Sequence, residues 1–360
     1  MRLLIVYNFA IEEAHVEAPN FYRSCGEKIF PSYGAETDFL PDLRKTFLFR
    51  LLTFCRIKRQ IAISACLCQW LLLHGRRYDV IVGWIGNGII ASLLKVCLGW
   101  RRTRICLILD GLPDCNSANL RSKLKMVILK LASAGADLLL ALDTNQAESF
   151  AQALGRSADS MLPLRYGVDA DWYDGQAMEL PRQPGPPKIF FPGSAYRDEA
   201  TLEKAVADLD VRVKRFQLDG CGVRRVMSKK VGHAVLEKIY NAPYAEYMDE
   251  CRKASMVVIA VTNSDKPVGL TSLLECMALG RPVIITRGAS GRDYLNDGVT
   301  GLMYTEGNSL ELREKIIALL NDPVNADRIG AAAHAAVKTE FSLATTGAEF
   351  YRLIKEMNKK

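Results

Sequence analysis

The stretch "PVGLTSLLECMALGRPVIITR", residues 267–287, has the pattern of a helix that stops abruptly before a buried strand. Gly280 fits the left-handed position just beyond a helix end, and Pro282 prevents the helix from extending. A strand-like run, "MVVIAV" (256–261), precedes the helix. Four apolar residues repeat at the i, i+3, i+4, i+7 spacing of one helix face: Leu270, Leu273, Leu274 and Met277. The stretch therefore predicts one strand–helix–strand unit of a parallel sheet.

The same alternation extends along the whole chain. Short apolar runs separated by helix-length segments are typical of a parallel sheet covered by helices on both faces. The proline-rich "PRQPGPP" at 181–187 interrupts the pattern, because it continues neither a helix nor a central strand. The runs before it are "LLIVY" (3–7), "VIVGW" (80–84), "ICLIL" (105–109), "LLLAL" (138–142) and "SMLPL" (160–164). Those after it are "KIFFPG" (188–193), "VKRFQLDG" (213–220), "MVVIAV" (256–261), "PVIIT" (282–286) and "GLMYT" (301–305).

This organisation predicts an α/β protein with two doubly wound domains. We expect an N-terminal domain over 1–173, a proline-rich linker over 174–187 and a second domain over 188–340. A C-terminal helix over 341–360 is expected to reach back towards the first domain.

Composition supports a globular protein and excludes several classes. Of its 360 residues, 49% are hydrophobic and 24% are charged, which does not fit a disordered chain. The net charge of +7 arises before residue 168, where 21 Lys and Arg face 14 Asp and Glu, and this excess suggests attraction to phosphates. The ten cysteines form no Cys-x-x-Cys pair and fit reduced core residues of a cytosolic protein better than a metal site. The opening "MRLLIVYN" fits a first strand, and no apolar stretch approaches the roughly 20 residues that span a bilayer.

The start of the helix in 267–287 is expected at the carboxyl edge of its sheet, where such folds bind ligands. The backbone N–H groups of Gly269, Leu270 and Thr271 and the positive end of the helix dipole predict an anion site there. Glu275 lies one turn further into the helix. Its carboxylate either pairs with Arg281 or Arg287 on a partly exposed side, or meets hydrogen-bond donors of a ligand.

Four segments together resemble a known family. The run "GLTSLLECMALGRPVIITRGASGRDYLNDGVTGLMYTEGN" (269–308) is similar to the donor-binding region of retaining glycosyltransferases of family four, which have the GT-B fold. "LRYGVDADWY" (164–173), "PGSAYRDEATLEKAV" (192–206) and "PYAEYMDECRKASMVVIAV" (243–261) resemble further parts of the same domain. The resemblance covers roughly 160–345 and implies two Rossmann-like domains that face each other across a cleft.

The resemblance implies a nucleotide-diphospho-sugar as co-substrate. Glu275 would accept hydrogen bonds from the ribose hydroxyls, and the amides at 269–271 would hold the diphosphate. Arg197 matches the approximate place of a basic residue that the family uses there, with Lys204 as a lesser candidate. The alternative for Arg197 is a solvated surface position near Asp198 and Glu199. No Asp-x-Asp motif is present, so the sequence calls for neither a metal nor another cofactor.

The sequence departs from the family at one place. A second glutamate, which contacts the sugar, usually precedes the ribose-binding one by eight positions, and here that position is Pro267. Asp265 or Lys266 would approach the sugar instead. This departure leaves the donor sugar open, and to a lesser degree the stereochemical outcome.

In the first domain, Asp110 directly follows "ICLIL" and is a candidate general base or acceptor ligand, or else a turn residue before a glycine. Glu13 and His15 in the first loop (8–20) are the other catalytic candidates, although a lone loop histidine is more often a bystander.

A basic segment over 44–77 has two interpretations. At about 100° per residue, five basic residues fall within half of the circumference of a continuous helix, with Arg50 outside it: Arg44, Lys45, Arg56, Lys58 and Arg59. Such a surface suits anionic lipid and a lipid-linked acceptor. The alternative is a core helix with a charged outer face. The expected location is the cytoplasm, either free or peripheral on the inner face of the cell membrane.

The expected function is transfer of a sugar from a nucleotide donor to a glycan or lipid-linked acceptor in polysaccharide or glycoconjugate assembly. Two alternatives stay open: a sugar-nucleotide epimerase on the same architecture, and a non-catalytic donor-binding subunit, which Pro267 makes conceivable. A nucleic-acid-binding protein is a weaker option, motivated by charge alone, because the sequence lacks an aromatic-basic recognition motif.

Overall fold

Both predicted sheets form, one in each half of the chain. The computed structural model describes residues 1–6, 25–55, 57–109, 120–175, 185–219, 221–262 and 268–359. The described residues divide into two units, one running to Arg165 and resuming at Gly347, the other spanning Tyr166–Thr346. The α/β fold class with two doubly wound sheets is therefore confirmed.

The first unit contains a six-stranded sheet, all parallel, in the order β2-β1-β3-β4-β5-β6. Its strands are β1 (Arg2–Val6), β2 (Glu36–Phe39), β3 (Val80–Trp84), β4 (Arg104–Leu109), β5 (Leu138–Ala141) and β6 (Met161–Pro163). Its helices are α1 (Phe30–Ser32), α2 (Phe47–Phe54), α3 (Arg59–His74), α4 (Gly88–Leu98), α5 (Leu120–Gly135) and α6 (Thr144–Leu154). A π-helical turn (Cys25–Ile29) and 3-10 turns at Leu43–Lys45, Gly75–Arg77 and Ala158–Ser160 join them. The strands β1, β3 and β4 are almost wholly buried, as their apolar runs predict.

The second unit contains a seven-stranded sheet in the order β13-β12-β11-β7-β8-β10-β9. All pairs are parallel except β9 with β10. Its strands are β7 (Lys188–Phe191), β8 (Arg212–Gln217), β9 (Arg225–Val231), β10 (Ala234–Tyr240), β11 (Met256–Ile259), β12 (Val283–Thr286) and β13 (Leu302–Tyr304). The helices are α7 (Ala170–Asp174), α8 (Glu199–Val206), α9 (Tyr244–Arg252), α10 (Leu270–Ala278), α11 (Ala289–Arg292), α12 (Ser309–Asn321) and α13 (Pro323–Glu340). The last helix, α14 (Leu343–Lys359), begins in the second unit and belongs to the first from Gly347 onward.

The boundary between the two units lies at Arg165 and Tyr166, earlier in the chain than the predicted boundary at residue 173. Residues 166–173 belong to the second unit because Val168 and Tyr173 lie in its core. The backbone N–H of Val168 donates to Phe341 O at 2.9 Å, which fixes the segment there. Of the predicted linker over 174–187, residues 176–184 lie outside the described part of the chain.

The C-terminal helix contributes to the first unit from Gly347 onward. Phe350 packs edge-on against Phe30 with ring centroids 5.3 Å apart, and Tyr351 stacks on Tyr33 at 4.8 Å. The Tyr351 hydroxyl also donates to the Tyr33 carbonyl at 3.2 Å.

The basic segment over 44–77 is not one continuous helix, contrary to the premise of the helical projection. The Thr46 side chain accepts a hydrogen bond from Phe49 N at 3.2 Å and so begins α2. That helix ends at Phe54, and α3 starts afresh at Arg59. Among the described residues, none of the helices combines the length and apolarity needed to cross a bilayer.

Candidate functional site

The site is built at the carboxyl ends of β7 and β11 in the second unit. The chain leaves β11 and enters α10 through Gly269, whose φ of 84° lies in the left-handed region. A β-carbon at Gly269 would also lie 2.8 Å from Ile259 Cγ2, so both the dihedral angle and the close approach to β11 require glycine. Because the first N–H groups of an α-helix have no intrahelical partner, the predicted anion site at the amides of 269–271 lies at the observed start of α10.

Arg197 lies beside this helix start. Its Nε donates to Pro192 O at 2.6 Å and its Nη1 donates to Ala195 O at 2.8 Å, so the backbone of the loop after β7 fixes the position of the guanidinium. A β-carbon at Gly269 would be 3.6 Å from both Nη atoms, and one at Gly193 would be 1.9 Å from Nη2. The fold therefore brings Arg197 to the first turn of α10, and two glycines leave room for it.

The electrostatic environment of Arg197 is cationic. Burial, and then the neighbouring Arg215, lower the pKa of Arg197 to about 10, so it remains charged at neutral pH. The predicted alternative was a solvated surface arginine near Asp198 and Glu199, whereas Arg197 is only partly exposed and its guanidinium donates to two backbone carbonyls. Asp198 caps α8 by accepting from Thr201 N at 3.0 Å, and Glu199 pairs with Arg215 at 3.1 Å. Within the described ranges, no carboxylate lies at ion-pair distance from Arg197, whose charge is thus open to an anionic ligand.

Arg215 braces the loop that carries Arg197. Only 3% of Arg215 is exposed, and its guanidinium donates to the carbonyls of Gly193 and Phe216, the latter at 2.9 Å. Glu199 accepts from its Nε. Arg215 could not be predicted from the sequence, because nothing local in "VKRFQ" indicates that its side chain returns to the loop after β7.

Lys204, the lesser basic candidate, does not lie beside Arg197 at the start of α10. It is exposed in the last turn of α8, whereas the loop that holds Arg197 adjoins the first turn.

Glu275 is buried, with 9% of its surface exposed. Its Oε2 accepts a hydrogen bond from the Tyr247 hydroxyl at 2.9 Å, and its Oε1 accepts one from Tyr244 at 3.1 Å. Tyr173 joins the cluster, since its hydroxyl lies 2.7 Å from that of Tyr244. Three phenols from α7 and α9 therefore surround the carboxylate.

The predicted alternative, a pairing of Glu275 with an arginine, is wrong. Arg281 donates to the Arg252 carbonyl at 3.1 Å, and Arg287 pairs with Asp297 at 2.7 Å. Both arginines are thus engaged elsewhere.

Burial raises the pKa of Glu275, and hydrogen bonds from the tyrosines lower it in part. The same burial, with the nearby carboxylate, raises the pKa values of Tyr244 and Tyr247, so both phenols stay protonated donors. A carboxylate has about four lone-pair sites, and one tyrosine bond to each oxygen leaves acceptor capacity for further hydroxyl groups.

The tyrosine cluster was missed at the sequence level. Its only local signal is the spacing of Tyr244 and Tyr247 in "PYAEYM", one helical turn apart on α9. Their rings stack with centroids 5.5 Å apart, and Phe190 packs edge-on against Tyr247 at 5.0 Å.

Six predicted site residues lie outside the described residues: Glu13, His15, Asp110, Asp265, Lys266 and Pro267. Across the described ranges, no group of three or more His, Cys, Asp or Glu side chains is arranged to hold a metal ion.

The second unit is similar to a known protein family. Residues 186–322 match a protein family described as Glycosyl transferases group 1. A search among curated proteins found no significant match.

Solved structures match over nearly the whole chain. Anabaena HepE in complex with UDP has a TM-score of 0.69 at 16% identity, over 99% of this chain and 100% of that one. A sucrose-phosphate synthase from Thermosynechococcus elongatus has a TM-score of 0.71 at 14% identity, with 99% of each chain covered. The UDP-GlcNAc 2-epimerase from Neisseria meningitidis, bound to UDP-GlcNAc, has a TM-score of 0.55 at 11% identity, over 99% and 100%. At such identities the likeness establishes the fold, which is GT-B.

Proposed function

We propose that this GT-B glycosyltransferase, whose residues 186–322 match the family described as Glycosyl transferases group 1, moves a sugar from a nucleotide-diphospho-sugar to a glycan or lipid-linked acceptor. The observation that carries the proposal is the convergence of three features in one unit. Arg197 and the amides at the start of α10 offer a phosphate site, and Glu275 lies one turn further along the same helix.

The diphosphate would lie at the N-terminus of α10. There the N–H groups of Leu270 and Thr271, the helix dipole and the guanidinium of Arg197 all favour negative charge. The carboxylate of Glu275 would accept from the ribose hydroxyls, sharing its oxygens with Tyr244 and Tyr247. UDP-sugars are the first donors to test, because a second crystal structure of HepE contains UDP-glucose.

The chemical step needs few side chains. As the bond from the sugar to the diphosphate breaks, negative charge grows on the leaving phosphate, where Arg197 and the helix amides stabilise it. The acceptor hydroxyl would attack from the same face of the sugar, giving retention. Most of the acceleration would come from orientation and preorganised charge. Asp110, Glu13 and His15 remain the predicted acceptor-side residues, and Asp265, Lys266 and Pro267 the predicted neighbours of the donor sugar.

The acceptor side is proposed to work at an anionic membrane surface, reached through the basic segment 44–77. The segment is rich in arginine and lysine, and Asp42 and Asp79 are the acidic residues that bracket it. A lipid-linked acceptor at the inner face of the cell membrane, in polysaccharide or glycoconjugate assembly, would fit this placement.

The proposal is tested with a panel of UDP-, GDP- and ADP-sugars, measuring the shift in melting temperature and then transfer to a membrane-extracted acceptor. A bound donor stabilises the native state by an amount that grows with the logarithm of its concentration divided by its dissociation constant. Arg197→Ala is expected to abolish the shift, whereas Lys230→Ala, an exposed lysine on β9, should preserve it. If no nucleotide sugar shifts the wild-type protein at millimolar concentration, or if a soaked crystal places the nucleotide away from Arg197 and Glu275, the proposal fails.

The epimerase alternative draws on the likeness to the Neisseria meningitidis enzyme, which shares the fold. It predicts a changed or hydrolysed nucleotide sugar in the absence of any acceptor, whereas glycosyl transfer predicts product only when the acceptor is added. A donor-binding subunit without catalysis would bind the nucleotide sugar and give no product in either assay.

A further inference from the structure

Helix α5 in the first unit exposes a row of apolar side chains to solvent. Leu120, Leu124, Val127 and Leu131 are between 53% and 79% exposed. At about 100° per residue they fall within about 60° of arc, on the side opposite the buried Leu129. The row occupies one side of three helical turns.

Basic side chains flank this apolar row on both sides. By the same projection Arg121 lies about 60° from the row on one flank, Lys123 and Lys130 lie about 40° and 60° from it on the other, and Lys125 lies about 100° away. All four are exposed, and α5 contains no Asp or Glu. An apolar stripe bordered by cations and free of acidic residues is the pattern of a helix that rests on an anionic lipid surface.

Helix α2 also exposes an apolar row, at the same spacing. Phe47, Leu51 and Phe54 are exposed by 80%, 44% and 86%, and α2 contains no buried residue. Arg50 lies beside this row, and Lys45 and Lys58 lie near its two ends. No acidic residue occurs between Asp42 and Asp79.

The sheet topology places α2 and α5 on one side of the first unit. The chain crosses from β2 to β3, from β3 to β4 and from β4 to β5 in the same direction along the sheet. Right-handed crossovers then put the intervening helices α3, α4 and α5 on the same face. Within this layer α3 packs against α4 and α4 against α5, while α2 packs on α3. Both apolar rows therefore belong to a single helical layer.

We propose that the exposed rows of α2 and α5 form one docking surface for an anionic lipid bilayer, with α5 as a second anchor beside the basic segment 44–77. This inference specifies the membrane surface that the proposed function requires. It rests on that function for the reason why the protein docks, but membrane binding itself does not require sugar transfer. The apolar side chains enter the headgroup region, and the flanking lysines and arginines pair with lipid phosphates.

A bilayer explains the surface better than a protein partner. Protein interfaces are depleted in lysine, and the core of an interface is depleted in charge, whereas lysines border the apolar row of α5 and lie near the two ends of the row of α2. A fluid surface also accepts two rows on separate helices without a complementary shape. The shared excess of cations on α2 and α5 matches the negative potential of an anionic leaflet.

The test is vesicle flotation of the full chain with phosphatidylcholine alone and with phosphatidylcholine containing about 30% phosphatidylglycerol, a leaflet charge that attracts basic segments. The wild-type chain should float with the anionic vesicles and not with the neutral ones. The double variant Leu124→Glu/Val127→Glu should lose at least about tenfold in bound fraction, since it places two carboxylates in the apolar row.

The matched control is Leu310→Glu, which makes the same change at a residue of the second unit that is 72% exposed. It should float like the wild type. Circular dichroism and the shift in melting temperature with a nucleotide sugar show whether the α5 variant is folded and keeps its donor site. Lys123→Glu/Lys130→Glu serves as a second variant that leaves the apolar row intact and should also lose flotation.

Wild-type protein that fails to float with anionic vesicles, or an α5 variant that floats unchanged, would overturn the proposal. So would a wild-type dimer in sedimentation that Leu124→Glu dissociates, since the row would then be a contact between two copies of the chain. If the wild-type protein binds no nucleotide sugar but still floats with anionic vesicles, the proposed function is contradicted and the docking surface is still supported.

Discussion

The substitution Glu275→Gln separates the functional role of this carboxylate from its effect on stability. Gln keeps the size of the side chain and one acceptor oxygen, but it removes the buried negative charge and replaces the second oxygen with an amide donor. In the wild type each carboxylate oxygen accepts one tyrosine hydroxyl, from Tyr244 and Tyr247. The remaining acceptor capacity is what the ribose hydroxyls of a donor would use.

The two effects should have opposite signs at neutral pH. A hydrogen bond to a charged group contributes about 1.5–3 kcal/mol, so losing one such bond to the ribose should weaken donor binding by about 10- to 150-fold. Because burial raises the pKa of Glu275, the charged form is less favourable in the native state than in the unfolded chain. Its contribution to stability is complete below the ordinary glutamate pKa of about 4.3 and is lost as the pH rises through the folded value. Glu275→Gln should therefore unfold at a higher temperature than the wild type at pH 7.

The assay is thermal unfolding of wild type and variant between pH 4 and 8, with and without a nucleotide sugar, at about 1 mM for a ligand of micromolar affinity. The advantage of the variant should grow with pH in the absence of donor and shrink when donor is added. Glu314→Gln, at an exposed position of α12, controls for loss of a surface charge. A variant that is less stable than wild type at every pH, yet binds donor normally, would refute the reasoning and make Glu275 a structural residue.

Tyr247→Phe removes one of the two hydrogen bonds to Glu275 and should lower the free energy of unfolding by about 1–3 kcal/mol. Urea denaturation at pH 7 measures this change. A decrease smaller than the error of the measurement would show that the bond contributes little to stability. Gly269→Ala should destabilise the protein by about 1–3 kcal/mol and weaken donor binding, because it forces a β-carbon towards Ile259 at a φ of 84°. Gly298→Ala is its control, since φ is 81° there and the added carbon meets nothing within 4 Å. Equal donor affinity in the two alanine variants would contradict the assignment of the phosphate site to the start of α10.

The sequence predicted the central strands well because they are buried on both faces. Runs such as "VIVGW" and "ICLIL" became β3 and β4 nearly without change of boundary. The prediction missed β2, β9 and β10. The polar "ETDF" of β2 and the exposed "RVMSKKV" of β9 form edge strands, whose side chains carry no continuous apolar signal.

The candidate site was predictable only where it is local. Gly269 and the helix that follows are encoded within a few residues, so the start of α10, where we propose the phosphate site, could be inferred from the sequence. The partners of Glu275 could not, because Tyr244 and Tyr247 lie 31 and 28 residues away along the chain and meet it only when α9 packs beside α10. The same holds for Arg215, which reaches Gly193 across 22 residues.

The chemistry of the donors around Glu275 argues for a ligand role. A purely structural carboxylate at this depth would be stabilised best by a cation, and among the described residues the neighbouring arginines are committed to other partners. Tyrosine hydroxyls satisfy the oxygens without neutralising the charge or filling every lone pair. An apolar residue of similar volume would avoid the cost of burial altogether, so a carboxylate held this way is best explained by hydroxyl groups that it has still to accept.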